Sequence, residues 1–182
     1  MALDSSSWSR HERPARVVGP QSGGTGENHR VRYAPSHCFV VHDVEKTAAA
    51  LGESGIGPWG VWTIEPAATT VRGREVPFSF RIAFASVGDS NFELLAPHEG
   101  ESIFVGHLEA NGEGFHHTCI AYSSREAMRE AKAELVRQGR EIVQSADMGE
   151  LGELCYFEMP EMGALLELLY VTELPPPEKT IG

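Results

Sequence analysis

The feature that most constrains this chain is an internal echo. Residues 114–122, Gly-Phe-His-His-Thr-Cys-Ile-Ala-Tyr, return in looser form as Ser-His-Cys-Phe-Val-Val-His at 36–42, in each case a histidine opening a short apolar strand that runs into a polar helix start. A second signature follows each copy, in which one carboxylate interrupts an apolar run: Asn-Phe-Glu-Leu-Leu-Ala-Pro at 91–97 and Gly-Ala-Leu-Leu-Glu-Leu-Leu-Tyr at 163–170. Two histidine-then-glutamate pairs result, His37 with Glu93 and His117 with Glu167, spaced by 56 and 50 residues. Similar elements at similar spacing mark a duplicated supersecondary unit.

Local patterns fill in the copies. Asp43 stands where an N-cap would start a helix that Gly52 stops, Val61 to Glu65 reads as a strand, and a polar connection containing Arg72, Gly73, Arg74 and Glu75 follows. Phe78, Phe80, Ile82 and Phe84 recur at every second position, and the turn Gly88-Asp89-Ser90-Asn91 leads into the Glu93 strand. After a linking helix, the second copy repeats the order. Ser123 with Glu126 reads as a capping box, Ala127, Ala131 and Leu135 form a helical stripe, and three strand-like runs cover 141–144, 154–159 and 163–171. The chain therefore divides into a mobile tail at 1–32, a first βαβββ module at 33–100, a linking helix at 101–112, a second βαβββ module at 113–173 and a C-terminal tail at 174–182, where Pro175-Pro176-Pro177 ends regular structure.

Charge and cysteine content remove several function classes. A formal net charge of −11 over 182 residues argues against nucleic acid and anionic membranes, which reward a basic patch. No run reaches the roughly 18 apolar residues of a membrane span, and the N-terminus lacks a secretory pattern, so a cytoplasmic location is expected. The three cysteines, Cys38, Cys119 and Cys155, lie in apolar stretches without CxxC spacing and read as buried thiols.

Two His and two Glu converging on the concave face of a curved sheet would offer nitrogen and oxygen donors suited to Zn, Ni, Co, Mn or Fe rather than Ca. These residues resemble the vicinal oxygen chelate superfamily, which includes glyoxalase I, methylmalonyl-CoA epimerase, extradiol dioxygenases and bleomycin-resistance proteins. The resemblance rests on His37 with Cys-Phe-Val-Val-His-Asp-Val-Glu-Lys, on Gly-Asp-Ser-Asn-Phe-Glu-Leu-Leu-Ala-Pro, on Gly-Glu-Gly-Phe-His-His-Thr-Cys-Ile and on Gly-Ala-Leu-Leu-Glu-Leu, and it spans nearly everything but the tail. It implies an α+β fold whose two modules form an incomplete β-barrel around one divalent metal, with His37, Glu93, His117 and Glu167 at the matching positions. His117 is favoured over His116 as the ligand, because alternation along a strand would point His116 the other way.

The resemblance further implies an activity. A four-ligand site is similar to those of glyoxalase I and the epimerase, and implies a lyase or isomerase that moves a proton next to a carbonyl through an enolate-like intermediate, with Glu167 and Glu93 as candidate bases. A non-haem Fe(II) dioxygenase and a bleomycin-resistance-type binding protein are the alternatives. A carbonyl or thioester substrate and a homodimer are expected by resemblance. Arg72, Arg74 and Arg81 are candidates for a substrate anion or a solvated face. Trp59, Trp62, Phe78, Phe80 and Phe84 are candidates for pocket lining or core, and His42, His98 and His107 are read as surface residues.

Overall fold

The period-two stretches become strands and the capped stripes become helices in a computed structural model that describes residues 36–88 and 90–182. The expected N-terminal tail lies outside the described residues. The first half runs β1 (Ser36–Val40), α1 (Val44–Glu53), β2 (Trp59–Ile64), β3 (Ala68–Val71), β4 (Arg74–Glu75), β5 (Phe78–Val87) and β6 (Ser90–Gly100). Helix α2 (Ile103–Asn111) leads into β7 (Gly114–Ala121), α3 (Arg125–Arg137), β8 (Ile142–Asp147), β9 (Gly152–Met159), β10 (Ala164–Val171) and β11 (Lys179–Ile181). Among the described residues no helix is long and apolar enough to cross a membrane.

Each half thus carries β, α, β, β, β, with two additions. The polar connection of the first half is a short hairpin, β3 and β4, turned by Arg72 and Gly73 at φ 48° and 75°, the left-handed pair that a two-residue hairpin loop demands. In the stretch after the three prolines, β11 pairs with β2. The cap of α3 also differs from expectation. It is Ser124, whose side chain accepts from the amide of Ala127 at 3.1 Å, and not Ser123.

The strands form one open sheet in the order β11-β2-β5-β6-β1-β7-β10-β9-β8-β3-β4. Strands β1 and β7 pair antiparallel at its centre, and each pairs in parallel with the last strand of its own half, β6 or β10. Two crossings tie the halves together: β3, from the first, pairs with β8 of the second, and β11, which follows the second, pairs with β2 of the first.

Helix α1 covers the outer face of the first half, packing Val44 and Ala48 near Trp59, Val61, Ala83 and Leu94, while α3 sets Met128 against Cys155, Phe157, Leu166 and Leu168. Between the halves lies a separate core that includes Cys38, Ile82, Leu95, Leu154 and Tyr156. Phe104 of α2 enters that core fully buried, with the rings of Phe78, Phe80, His116 and Tyr156 at centroid distances of 5.4–6.3 Å. Gln144 fixes where α2 begins, since its buried side-chain oxygen accepts from the amide of Ile103 at 2.9 Å.

Candidate metal centre

The register of the central strands decides which side chains meet. Across β1 and β7, Ser36 faces Cys119 and Cys38 faces His117. In the parallel pairings Cys38 lies beside Glu93, and Cys119 beside Glu167. The two halves are therefore related by a repeat that matches Ser36 with His117, Cys38 with Cys119, and Glu93 with Glu167. Because side chains alternate along a strand, the odd positions of β10 face the inner core through Leu165, Glu167 and Leu169, while Leu166 and Leu168 face α3.

Three of the four residues expected at a metal come together. His117 is fully buried, with its Nε2 3.3 Å from Glu167 Oε2 and 3.8 Å from Glu93 Oε2. Glu93 and Glu167 are 5% and 3% exposed. His37 does not join them: it is exposed, and its neighbours Ser36 and Cys38 are the buried ones. The assignment of His37 is thus corrected by one strand position. Alternation sends His37 outward and leaves its corner to Ser36 and Cys38, whose Sγ lies with a Glu93 oxygen and a His117 ring nitrogen in a set mutually within 4.8 Å.

His116 also departs from the alternation expected of it. A register shift after Cys38 pairs Phe39 with Phe115 and leaves His116 without a cross-strand partner, so this bulge buries both histidines. Their Nδ1 atoms lie 2.8 Å apart. Burial, then the charges of His117 and His107, push His116 down to about 2, which keeps it a neutral partner that holds the His117 ring in place. His107, read as a surface residue, is half-buried and stacks edge-on against His116 at 4.9 Å. His42 and His98 are exposed.

The carboxylates differ in their support. Tyr156 donates its hydroxyl to Glu167 Oε1 at 2.8 Å. Burial works against the Glu167 charge, but the neighbouring His117 and the donors Cys119 and Tyr156 outweigh it and hold this carboxyl below its ordinary value. Among the described residues the hydrogen-bond donor to Glu93 is the Ser36 hydroxyl, at 3.5 Å. Burial and the negative charge of Glu167 push its carboxyl well above the usual range.

This donor set fits a divalent cation. With its Nδ1 2.8 Å from His116 Nδ1, His117 Nε2 is buried between the two carboxylates and has no other polar partner among the described residues. Two buried carboxylates beside a bare imidazole nitrogen, with no Lys or Arg among the residues lining their cavity, are compensated when a positive charge sits between them.

Both carboxylates open onto a narrow cavity of about 40 Å³, walled by Ile64, Phe80, Ile82, Phe84, Met148, Leu154, Tyr156, Leu169, Val171 and Leu174. Of the candidate pocket aromatics, Phe80 and Phe84 line this cavity, while Trp59 and Phe78 are core. A larger groove of about 810 Å³ lies along α2 and reaches His107 and His116 but neither buried carboxylate. The candidate anion-binding arginines are each paired: Arg72 with Glu158, Arg74 with Glu101 and Arg81 with Glu45. Tyr156, Ser36 and Cys38 lie against this cluster and were not among its expected members.

A family model described as the Glyoxalase/Bleomycin resistance protein/Dioxygenase superfamily matches residues 37–157. Among solved structures the chain is similar to a hypothetical protein from Bacillus halodurans C-125, with a TM-score of 0.53, 20% identity and coverage of 78% of this chain and 96% of that one. It is likewise similar to a Streptomyces coelicolor methylmalonyl-CoA epimerase variant in complex with 2-nitronate-propionyl-CoA, with a TM-score of 0.52, 20% identity and coverage of 78% and 98%. The methylmalonyl-CoA epimerase from Mycobacterium tuberculosis gives a TM-score of 0.50, 19% identity and coverage of 76% and 87%. No curated protein sequence matches. At these identities the structural likeness is one of fold, whereas the family match takes in the first copy of the repeat and the second as far as Phe157. The chain belongs to the glyoxalase/bleomycin resistance protein/dioxygenase superfamily.

Proposed function

We propose that this chain is a divalent-metal-dependent isomerase or lyase of epimerase type, which moves a proton on the carbon next to a substrate carbonyl. The observation that carries the proposal is the convergence of His117 Nε2, Glu167 and Glu93, all buried, with the two carboxylates lining an apolar cavity that no Lys or Arg lines. His117 and Glu167 would hold the metal, with Glu93 as a third and more loosely held ligand. Bound there, a divalent cation supplies Lewis acidity that eases removal of a proton next to a carbonyl.

The residues of the chain divide the remaining work. Tyr156 anchors Glu167, which suits a fixed ligand. Glu93, held only by a 3.5 Å contact from Ser36, has the freedom to take and return a proton, and its raised carboxyl brings it toward the working range of a general base. The apolar walls exclude water from the exchange. Similar structures bear the name methylmalonyl-CoA epimerase, which supports an acyl thioester as the substrate class. One imidazole with two carboxylates differs from the two-histidine, one-carboxylate set of non-haem iron oxygenases, which favours proton transfer over the dioxygenase reading.

The test is a panel of acyl thioesters and 2-oxo compounds incubated with metal-loaded protein in deuterium oxide. Deuterium entering next to the carbonyl, and abolished in Glu93→Gln, supports the proposal. A stoichiometrically loaded protein that exchanges no panel member would refute it.

A further inference from the structure

We infer that the fourth corner of the metal centre is filled by a thiolate, Cys38 Sγ, in place of the histidine that the repeat would put there. This inference rests on the metal reading above and adds to it a ligand of a different chemical class.

The register matches Ser36 to His117, so the first half presents a hydroxymethyl group where the second presents an imidazole. Serine is too short to replace that ring at a shared ion, and the Ser36 hydroxyl is turned to Glu93. Two residues further along the same inward face, Cys38 is 0% exposed, and its Sγ is grouped with Glu93 and His117 within 4.8 Å. Donors around one tetrahedral ion sit roughly 3–4 Å apart, given metal–sulfur bonds of about 2.3 Å and metal–nitrogen or metal–oxygen bonds of about 2.0 Å. Those three donors therefore close on an ion with shifts on the order of 1 Å, and Glu167 reaches the same ion from its place 3.3 Å from His117 Nε2. Cys119, the repeat mate of Cys38, lies outside the set that groups Cys38 with Glu93 and His117, which leaves Cys38 as the thiol for the open corner.

The chemistry balances simply. As the metal–sulfur bond forms, the thiol proton leaves to solvent and the thiolate replaces one neutral donor of an imidazole site. A sulfur, nitrogen and oxygen set shifts preference toward Zn and Co and away from Mn and Mg.

Cobalt(II) gives a readout independent of activity, because thiolate ligation produces an intense near-ultraviolet charge-transfer band that oxygen and nitrogen ligands do not. Chelator-treated protein would be titrated with cobalt(II) under anaerobic conditions, with bound metal counted by mass spectrometry. We expect the band in the parent, its loss in Cys38→Ser, and its retention in the double variant Cys119→Ser/Cys155→Ser, whose only thiol is Cys38. Cys38→Ser should weaken cobalt binding by more than the roughly 10- to 100-fold that loss of an outer partner costs. Cobalt bound at one per chain without the band overturns the thiolate and leaves the metal centre standing. A band that persists in Cys38→Ser, or vanishes in the folded double variant, assigns the sulfur elsewhere and overturns the inference. A parent that binds neither cobalt nor zinc refutes the metal reading itself.

Discussion

Replacing Glu93 by glutamine should have opposite effects on the metal-free and metal-bound protein. Without metal, Glu93 is 5% exposed, lies 3.8 Å from His117 Nε2 and shares the cavity with Glu167. An under-compensated buried polar group costs roughly 1–3 kcal/mol, so the amide should raise the stability of chelator-treated protein by about that amount near neutral pH. For a chain of this size each kcal/mol is about 2–4 °C in Tm. The sign with pH follows from linkage. Since burial and the charge of Glu167 raise the Glu93 carboxyl above its ordinary 4.5, the native state holds that proton more tightly than the unfolded chain does. Parent stability therefore falls as pH rises from the unfolded value through the folded one. Glu167 is lowered, so its contribution appears above its depressed folded value as pH rises toward the unfolded one, and it is common to both proteins. The variant should lack the Glu93 fall. With metal the order reverses: at a concentration about 100 times Kd the parent gains about 2.7 kcal/mol, and the variant, short of a carboxylate, gains much less. Thermal unfolding by circular dichroism at about pH 5 and about pH 8, with chelator and with zinc, measures all four states. A metal-free variant that melts below the parent at the higher pH, or equal metal stabilisation of both, would refute the reasoning.

Three further outcomes follow from the geometry. His37→Ala should leave metal content unchanged and stability within about 0.5 kcal/mol of the parent, because the side chain is exposed; loss of metal would restore His37 as a ligand. Tyr156→Phe removes the hydroxyl that orients Glu167 and should cost about 1 kcal/mol of stability and roughly 10- to 100-fold in metal affinity, read by competition with a chelator. Unaltered affinity would mean that Tyr156 does not position that carboxylate. Phe104→Ala empties the fully buried contact of α2 with Phe78, Phe80 and Tyr156 and should destabilise by about 3–5 kcal/mol in denaturant unfolding; a cost under about 1 kcal/mol would deny α2 its place in the core.

The duplicated architecture was legible because repetition is a statement about spacing, and spacing survives in sequence. The inward glutamates were legible for a related reason: a lone carboxylate in an apolar strand either meets solvent or meets something positive. The histidine corner was not, because the phrases around His37 and His117 look alike while their distances to the helix caps differ by one residue. Taking Ser123 as the cap puts His117 six residues ahead of its helix start, the same distance that separates His37 from Asp43. With the observed cap, Ser124, His117 stands seven residues ahead, and the residue seven ahead of Asp43 is Ser36. Counting back from the correct caps would have found the serine. The bulge at His116 had no comparable signal, since it arises from pairing between β7 and β1, strands that lie far apart in the chain. The link between Tyr156 and Glu167 likewise depends on the register of β9 against β10.

The exchange of strands between the halves bears on how a substrate enters. A cavity of about 40 Å³ holds a few waters, not an acyl group. Enzymes with a cleft between two lobes commonly admit substrate by swinging the lobes apart. Here that motion is latched on both flanks, by β3 hydrogen-bonded to β8 on one and by β11 hydrogen-bonded to β2 on the other. Opening the cleft as a hinge would break backbone ladders, whereas turning Met148 and Leu174, long unbranched or flexible side chains in the cavity wall, breaks none. On the proposed function the door to this site is made of rotamers, and amides of β3 and β11 should therefore stay protected from hydrogen exchange when an acyl thioester is added.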